Sequence, residues 1–305
     1  LDFEKEKRDQ EELGRVLAVR PQGRRHNMRA AQGYEVYENM VFAEEYIDGV
    51  LLTKPEQMAE RGYAVGKIRT ALKHELLTQL FIDGTFHLDP HAGNIIGQDN
   101  SDVVFIDNSI GRLSGKLRMP LLAFLMHLFP RKISRIVADK MGWDLRRAIR
   151  ELQNGEVLSA EAMDSLVEKL ENQVIRSKDG GVAGRVVSAI TLLEENGVVL
   201  DKEMGGVKKF FSASDYLLSD IKLSDVPFLY RLIRKVRAGT DSAMKGGIDF
   251  SADQWDLLAK NTNDKISFNI DPAMMRQLEN ATGFLPVIVD IHPTTNLPRF
   301  LGMKE

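Results

Sequence analysis

Apolar positions along this chain switch between helical and alternating spacing, and the switches mark its elements. Residues 2–18 set Phe3, Leu13, Val16 and Leu17 among charged side chains, which predicts an amphipathic helix. Residues 20–33 carry Arg20, Arg24, Arg25 and Arg29 without an acid, plus Pro21 and two glycines, and read as an irregular connection. Tyr34–Tyr37 and Met40–Tyr46 are apolar-aromatic runs split by Glu38-Asn39, which predicts a β-hairpin; Asp48-Gly49 then marks a turn. From Pro55 to Phe81, the residues Ile68, Leu72, Leu76, Leu77, Leu80 and Phe81 recur at helical steps, and Asp83-Gly84 closes that long helix. A short strand is predicted at Val103–Ile106.

Residues 117–238 read as helices. Met163, Leu166, Val167, Leu170 and Val174 share one face, with Ser159 as the N-cap. Val182, Val186, Val187, Ile190 and Leu193 form a second helix, ended by Asn196-Gly197. Asp201 caps a third containing Val207, Phe210, Phe211 and Leu217, and Phe228, Leu229, Leu232, Ile233 and Val236 build a fourth. Beyond Gly246 the pattern weakens, with one strand predicted at Phe284–Ile291.

Composition changes this picture in three ways. The 305 residues suffice for one large domain or two modest ones, and 43% hydrophobic and 28% charged residues are ordinary for a globular protein. A net charge of −3 argues against general nucleic-acid binding, and the absence of Cys excludes disulfides and thiol catalysis. The longest apolar-rich run, Met119–Phe129, falls far short of the roughly 20 residues a membrane span requires. The chain opens on Leu1 and enters a charged helix at once, so it reads as a fragment of a longer protein. Charge is also unevenly placed. Between Arg112 and Arg150 there are ten Lys/Arg and two acids, Asp139 and Asp144; a second cluster is Arg231, Arg234, Lys235 and Arg237. Such a surface attracts anionic lipid headgroups. The plainer alternative is a solvated face whose charges pair with the acid-rich helix at 161–171.

The candidate chemistry lies at Phe86-His87-Leu88-Asp89-Pro90-His91-Ala92-Gly93-Asn94-Ile95 and at Val103-Val104-Phe105-Ile106-Asp107. Phosphoryl transfer needs a carboxylate near the acceptor and oxygen ligands that hold Mg²⁺ against the phosphates. Asp89 is the candidate catalytic carboxylate. Asn94, five residues on, offers a neutral amide oxygen, and Asp107, thirteen residues further, a full negative charge; both suit a metal ion beside phosphate. Taken singly, these residues are those that build turns; the ordered set points to a kinase-like site. His87 is read as a loop prop, and His91 as either a phosphate or substrate contact or a second loop prop. Main-chain groups of Met40–Ile47 are placed to hold an adenine edge, or else form an ordinary hairpin strand. Glu6 is either a solvated surface charge or the acid that pairs with a phosphate-binding Lys.

At these residues the chain resembles the UbiB/ADCK (AarF) family of atypical kinases. Members carry a loop close to His-x-Asp-Pro-His-Pro-Gly-Asn, and this chain reads His87-Leu88-Asp89-Pro90-His91-Ala92-Gly93-Asn94. Glu44-Glu45-Tyr46-Ile47-Asp48-Gly49 is similar to the family's hinge, Leu1–Glu6 to the start of its αC helix, and Glu194–Leu200 to a segment after the kinase core. The resemblance covers about residues 1–225. It implies an α+β, protein-kinase-like fold: a truncated N-terminal lobe and hinge at 1–47, an α-rich C-terminal lobe with helical extension at 48–240, and a C-terminal segment of unassigned role at 241–305. It implies ATP and Mg²⁺ as cofactors. Asp89 would be catalytic, Asn94 and Asp107 would hold metal, and Glu6, Glu45, Tyr46, Ile47 and His91 would lie on the nucleotide side. It implies slow ATPase or small-molecule kinase activity in isoprenoid-quinone (ubiquinone) or other lipid metabolism. The partners would be a nucleotide and an anionic membrane surface or lipid-like small molecule, with no nucleic acid, and the location cytoplasmic or peripheral to a membrane. Ala92 stands where the family has Pro, and Asn108-Ser109 stands where a kinase has Phe-Gly. The nucleotide-binding loop, its Lys and the family's Lys-x-Gly-Gln element are expected upstream of Leu1. One alternative is a pseudokinase that binds nucleotide or a partner without turnover. A less favoured one is an aminoglycoside- or choline-type phosphotransferase, in which the motif usually lies nearer the chain end.

Overall fold

The first helix, α1 (Phe3–Ala18), starts where the Asp2 carboxylate accepts the Lys5 N–H at 3.0 Å. It buries Leu13 and Leu17, as its apolar stripe predicts, and also the polar Asp9 and Gln10. Those two side chains are used as ties: Asp9 accepts from the main-chain N–H of Ile110 at 3.3 Å, and Gln10 donates to Glu44 at 3.2 Å. The computed structural model describes residues 2–18, 28–38, 40–99, 102–128, 142–156, 158–177 and 181–218, with Ala138, Leu232 and the strands Asp290–Ile291 and Pro298–Arg299. The predicted helix at 228–236 and all but the end of the predicted strand at 284–291 lie outside the described residues.

The architecture is α+β, with small sheets set among helices. β1 (Met28–Ala30) was not foreseen; it pairs in parallel with β7 (Val103–Phe105). β2 (Gly33–Tyr37) and β3 (Val41–Glu44) form the predicted antiparallel hairpin. β4 (Val50–Leu51) pairs with β6 (Ile95–Gly97), and β6 with β7, giving the order β1-β7-β6-β4. A separate pair joins β5 (Thr85–His87) to β8 (Ile110–Arg112). The candidate motif therefore occupies the space between two small sheets: β5 leads into the Asp89 loop, β6 leaves it, β7 leads to Asp107, and β8 leaves that.

The predicted helix over 55–81 is divided. α2 (Pro55–Glu60) ends at Gly62, whose φ is +80°. Gly62 N–H donates to Ala59 O and Tyr63 N–H to Met58 O, both at 2.9 Å, and Met58 and Tyr63 are buried together. This is a Schellman ending, with the apolar contact that usually accompanies it. α3 (Val65–Thr78) buries Ile68, Leu72, Leu76 and Leu77, then widens into a π turn at Gln79–Asp83. The same Schellman pattern ends α7 (Val182–Glu195): Gly197 N–H reaches Glu194 O and Val198 N–H reaches Leu193 O, both at 3.0 Å.

Helices dominate after β8. α4 (Gly115–Leu128) is buried on nearly every side from Leu117 to Leu128 and packs against α5 (Leu145–Leu152). α6 (Ala160–Leu170) begins at Ser159, whose hydroxyl accepts the Ala162 N–H at 3.2 Å. α7 and α8 (Glu203–Ala213) pack as a helical pair, followed by the short α9 (Asp215–Leu218). Asp201 accepts the Glu203 N–H at 3.1 Å from one residue before the N-cap position, which is Lys202; Leu217 falls in α9, outside the helix it was assigned to. No helix among the described residues is long and apolar enough to cross a membrane.

Basic side chains between Arg112 and Arg150 that are described largely turn back onto the protein. Arg112 pairs with Glu12 at 2.6 Å, Lys116 with Asp201 at 3.1 Å, Arg146 with Asp164 at 2.7 Å, and Arg147 lies 4.2 Å over the Trp143 ring. Arg118 is structural: its guanidinium donates to the carbonyls of Ile82, Asp83 and Leu113, gathering the chain around Gly84.

Gly84 takes φ +71°, and a Cβ there would come within 2.4 Å of Leu113 O and 2.2 Å of the Arg118 guanidinium. The left-handed backbone alone costs a side-chain residue about 1–3 kcal/mol. Gly84→Ala should therefore lower stability by more than about 2 kcal/mol in urea denaturation, since the carbonyl cannot yield as a side-chain tip would. A change within 0.5 kcal/mol would show that this turn is not fixed as described.

Candidate functional site

His87 fixes the site's geometry. It is fully buried at the end of β5, its main-chain N–H donates to the Gln79 side-chain oxygen at 3.1 Å, and its ring lies against Phe105. The ring Nδ1 accepts the Asp89 N–H at 3.1 Å, and Nε2 lies 3.3 Å from Ile106 O. Because Nδ1 accepts, Nε2 carries the proton and donates to that carbonyl. One neutral imidazole thus joins the Asp89 loop to the end of β7. Burial pushes its pKa down to about 4, outweighing the opposing pull of the Ile106 carbonyl and the Asp107 and Asp89 charges.

Beyond His87 the loop closes on itself. His91 N–H donates to Asp89 O at 2.9 Å, and Asn94 N–H to His91 O at 2.9 Å. The His91 ring Nδ1 accepts the Gly93 N–H at 3.0 Å and caps the single 3₁₀ turn Ala92–Asn94, so its ring serves the loop. The nearly buried Asn94 amide donates from Nδ2 to Asp89 O at 3.1 Å, with the same nitrogen 3.5 Å from an Asp107 carboxylate oxygen. Donation to a carbonyl settles which end of the amide is nitrogen. The 3.5 Å approach is too long to count as a strong bond. Its value is positional, because it sets the Asn94 amide and the Asp107 carboxylate side by side.

Asp107 itself has φ +51°, a backbone position that a non-glycine residue seldom adopts. The segment after it compensates. Asn108 is buried and donates to Phe105 O at 3.0 Å, Ser109 N–H reaches Asp107 O at 3.1 Å, and Leu88 N–H reaches Ser109 O at 2.8 Å. Asn108 thus provides a polar anchor at the position where a kinase has an apolar Phe.

Negative charge gathers on the α1 side of this assembly. Burial raises the pKa of Glu6, and the charges of Asp107, Glu44 and Asp9 raise it further. Burial also raises Glu44, partly opposed by its hydrogen bond from Gln10, and Asp107 adds to the rise. Glu6 therefore stands within electrostatic reach of Asp107, with an excess of anion over cation between them. The opposite holds at Asp89, where the Lys209 ammonium of α8 lies 3.3 Å from a carboxylate oxygen. Sequence reasoning missed Lys209; no local pattern links α8 to a loop more than a hundred residues earlier.

Among the residues assigned to the nucleotide side, Glu45 is committed elsewhere. Its carboxylate takes two bonds from Arg29, at 2.6 and 2.8 Å, and accepts the Gln32 N–H at 3.1 Å; the Arg29 bonds hold it below its usual pKa. The Tyr46 side chain is 90% exposed, and Ile47 is buried against Ala31 and Val104. What these two residues offer a ligand is therefore mainly their backbone.

The donor set suits a hard divalent cation. The Asn94 amide oxygen and the Asp107 carboxylate are the oxygen types that Mg²⁺ prefers, and Mg²⁺ commonly takes only one or two protein ligands, completing its shell with water and phosphate oxygens. Among the described residues, no group of three or more His, Cys, Asp or Glu is arranged to enclose a metal ion.

The low His87 pKa has a measurable consequence. The residue titrates near 6.5 when unfolded and about 4 when folded, so protons bind the unfolded chain better. Its contribution to stability is complete above about pH 6.5 and is lost as pH falls toward 4. Between pH 7 and 4.5, denaturation of the wild type should lose about 2–3 kcal/mol more than denaturation of His87→Gln. Parallel pH profiles for the two proteins would exclude the buried neutral imidazole.

The profile of the ABC1 atypical kinase-like domain matches residues 1–140. Among curated relatives, Activity of BC1 complex kinase 1, a chloroplastic protein of Arabidopsis thaliana, is 30% identical over 97 residues, which is 30% of this chain and 14% of that protein. An uncharacterized protein of Synechocystis is 34% identical over 88 residues, 27% of this chain and 22% of its own length. Activity of BC1 complex kinase 7, also chloroplastic and from Arabidopsis thaliana, is 23% identical over 216 residues, 65% of this chain and 31% of that protein. The chain thus spans less than a third of the length of each of these relatives. The matched residues 1–140 include the Asp89–Asn94 loop, Asp107 and α1, and over them the match to the ABC1 atypical kinase-like domain and to these relatives supports an ABC1/UbiB-type family of atypical kinases.

Proposed function

We propose that this domain has a protein-kinase-like fold and binds Mg·ATP, which it hydrolyses slowly or uses to phosphorylate a small, lipid-like acceptor. The observation that carries this reading is the meeting of Asp89, Asn94 and Asp107, joined by the Asn94 amide bond to Asp89 O and by its approach to Asp107. Residues 1–47 are then part of an N-terminal lobe and hinge, and residues 48–240 a C-terminal lobe with added helices.

In this reading each chain residue has a role set by its geometry. Asp89, about two-thirds buried, orients the acceptor hydroxyl or attacking water and takes its proton. Asn94 and Asp107 present oxygens toward the phosphates; the bound Mg²⁺ would offset the charge of the β- and γ-phosphoryl oxygens. Glu6 faces the same region and suits a cationic side chain that reaches the phosphates. Main-chain groups of Tyr46 and Ile47 meet the adenine edge, while Glu45 fixes the hinge through Arg29.

Two features favour a second reading, a nucleotide-binding module without turnover. Asn108 pins the segment after Asp107 to Phe105 O, and the Glu45 carboxylate is held away from ligand by Arg29. Substitution separates the readings. Under the first, Asp89→Asn lowers Mg-dependent ATP hydrolysis by about 10²–10⁴-fold and leaves nucleotide affinity nearly unchanged. Asp107→Asn should weaken Mg·ATP binding in calorimetry while ADP without metal is little affected. Mg·ATP binding without any turnover in the wild type would establish the second reading; no binding at all would end both.

A further inference from the structure

The loop from Asp89 to Asn94 contains no lysine or arginine, and its one basic ring, His91, is turned onto Gly93. Transfer of a phosphoryl group spreads negative charge over three oxygens, and a cation near the acceptor carboxylate is the usual means of stabilising it. Here the cation nearest Asp89 comes from α8, which lies outside the part of the chain that matches the kinase family.

α8 is firmly placed. Phe210, next to Lys209, is fully buried and meets the Phe86 ring edge-on with centroids 5.3 Å apart. Phe211 is equally buried and packs edge-on to Phe210 at 5.2 Å. At Gly206 the helix lies in ordinary packing distance of the loop's entry: a Cβ there would be 3.4 Å from Leu88, the residue before Asp89. At the start of α8, Glu203 accepts the Ser114 N–H at 2.6 Å, and Asp201 pairs with Lys116 at 3.1 Å. The two ammonium groups of the helix differ in what they meet. Lys208 is drawn to Glu194 of α7 at 2.7 Å, whereas Lys209 reaches Asp89. Both border an open cleft of about 450 Å³ whose lining includes Asp89, Val187, Gly205 and Ser212. The Lys209 side chain is half exposed at its edge.

We infer that Lys209 is a further catalytic residue, binding the oxygens of the phosphoryl group as it passes from nucleoside triphosphate to an acceptor held in this cleft. The inference rests on the Mg·ATP reading above. In the transfer step an acceptor oxygen forms a bond to the γ-phosphorus. The bond from that phosphorus to the β,γ-bridging oxygen breaks, and its electron pair leaves with the nucleoside diphosphate. The acceptor proton passes to the Asp89 carboxylate and then to solvent. Lys209 keeps its proton throughout. Before substrate binds, its ammonium is held by Asp89 at the entrance to the cleft; with substrate present it moves the short distance to the phosphoryl oxygens.

The test uses the wild-type protein, Lys209→Ala, Lys209→Arg and Lys169→Ala. The last changes a surface lysine bonded to Asn196, and controls for net charge. Three quantities are measured: Mg-dependent ATP hydrolysis, ADP affinity, and affinity for Mg·ADP with aluminium fluoride, which mimics the transferring phosphoryl group. Lys209→Ala should lower kcat by about 10²–10³-fold. It should weaken the aluminium fluoride complex by a similar factor and leave ADP affinity within about twofold. Lys209→Arg should recover most of both losses, and Lys169→Ala should match the wild type. Hydrolysis and aluminium fluoride binding unchanged in Lys209→Ala would overturn the inference and leave the Mg·ATP reading intact. Faster hydrolysis in Lys209→Ala would also overturn it, identifying the pair with Asp89 as a restraining latch. A wild type that neither binds nor hydrolyses Mg·ATP would remove the underlying reading and this inference with it.

Discussion

The bond network of one uncharged, buried imidazole sets the positions of everything else in the site. His87 accepts from the Asp89 N–H and donates to Ile106 O, so two segments from different sheets share a single rigid link. Each such bond contributes only about 1 kcal/mol to stability. Their structural effect is larger than that figure suggests, because the alternative is a buried donor or acceptor left without a partner. The ring can serve both segments only while Nδ1 lacks a proton. Burial keeps it in that state, and β5, the π turn at Gln79–Asp83 and Phe105 provide the burial. The packing of the core and the protonation of this ring are therefore one property viewed at two scales.

Electrostatics then divides the site into two unlike halves. On the α1 side, burial and the neighbouring Asp107 charge raise the proton affinity of Glu6 and Glu44, and such a group is eased by any cation that enters. On the α8 side, Asp89 already has a cation at hand in Lys209. Under the proposed function, the two halves would suit the two ends of a phosphoryl transfer, the anionic one for a metal and a cationic side chain and the cationic one for the acceptor. Neither half is built by a contiguous stretch of sequence. α1 reaches its side through Asp9, bonded to the Ile110 N–H, and α8 reaches the other through Phe210 against Phe86.

Much of this was legible in the sequence where local rules suffice. The amphipathic stripe of α1, the hairpin of β2 and β3, Ser159 as an N-cap and Asn196-Gly197 as a helix ending all follow from periodicity and turn chemistry, which act over a few residues. The sequence singled out Asp89, Asn94 and Asp107 by residue type and spacing, and the fold sets the Asn94 amide beside the Asp89 carbonyl and the Asp107 carboxylate. What escaped was set by distant partners. β1 lies in an arginine-rich stretch with no strand pattern, and is a strand because β7 offers it a parallel edge. Gly62 divides a continuous helical pattern because its left-handed backbone permits the Schellman turn that buries Tyr63 on Met58. Lys209 is one of many helical lysines until tertiary packing carries α8 across Leu88.

The polar residue after Asp107 alters how this domain can be controlled. In a segment held by an apolar plug, swinging the chain outward exposes hydrocarbon to water, a cost that a second greasy pocket can recover. Asn108 is instead tied through its amide to Phe105 O, deep among buried atoms. Rotating it out would break that amide bond, while Phe105 O would keep the Ala31 N–H at 2.8 Å. The Asn108 amide oxygen is buried without a partner among the described residues, so moving the segment outward trades one amide bond for hydration of that oxygen, an exchange unlike the transfer of a hydrocarbon plug.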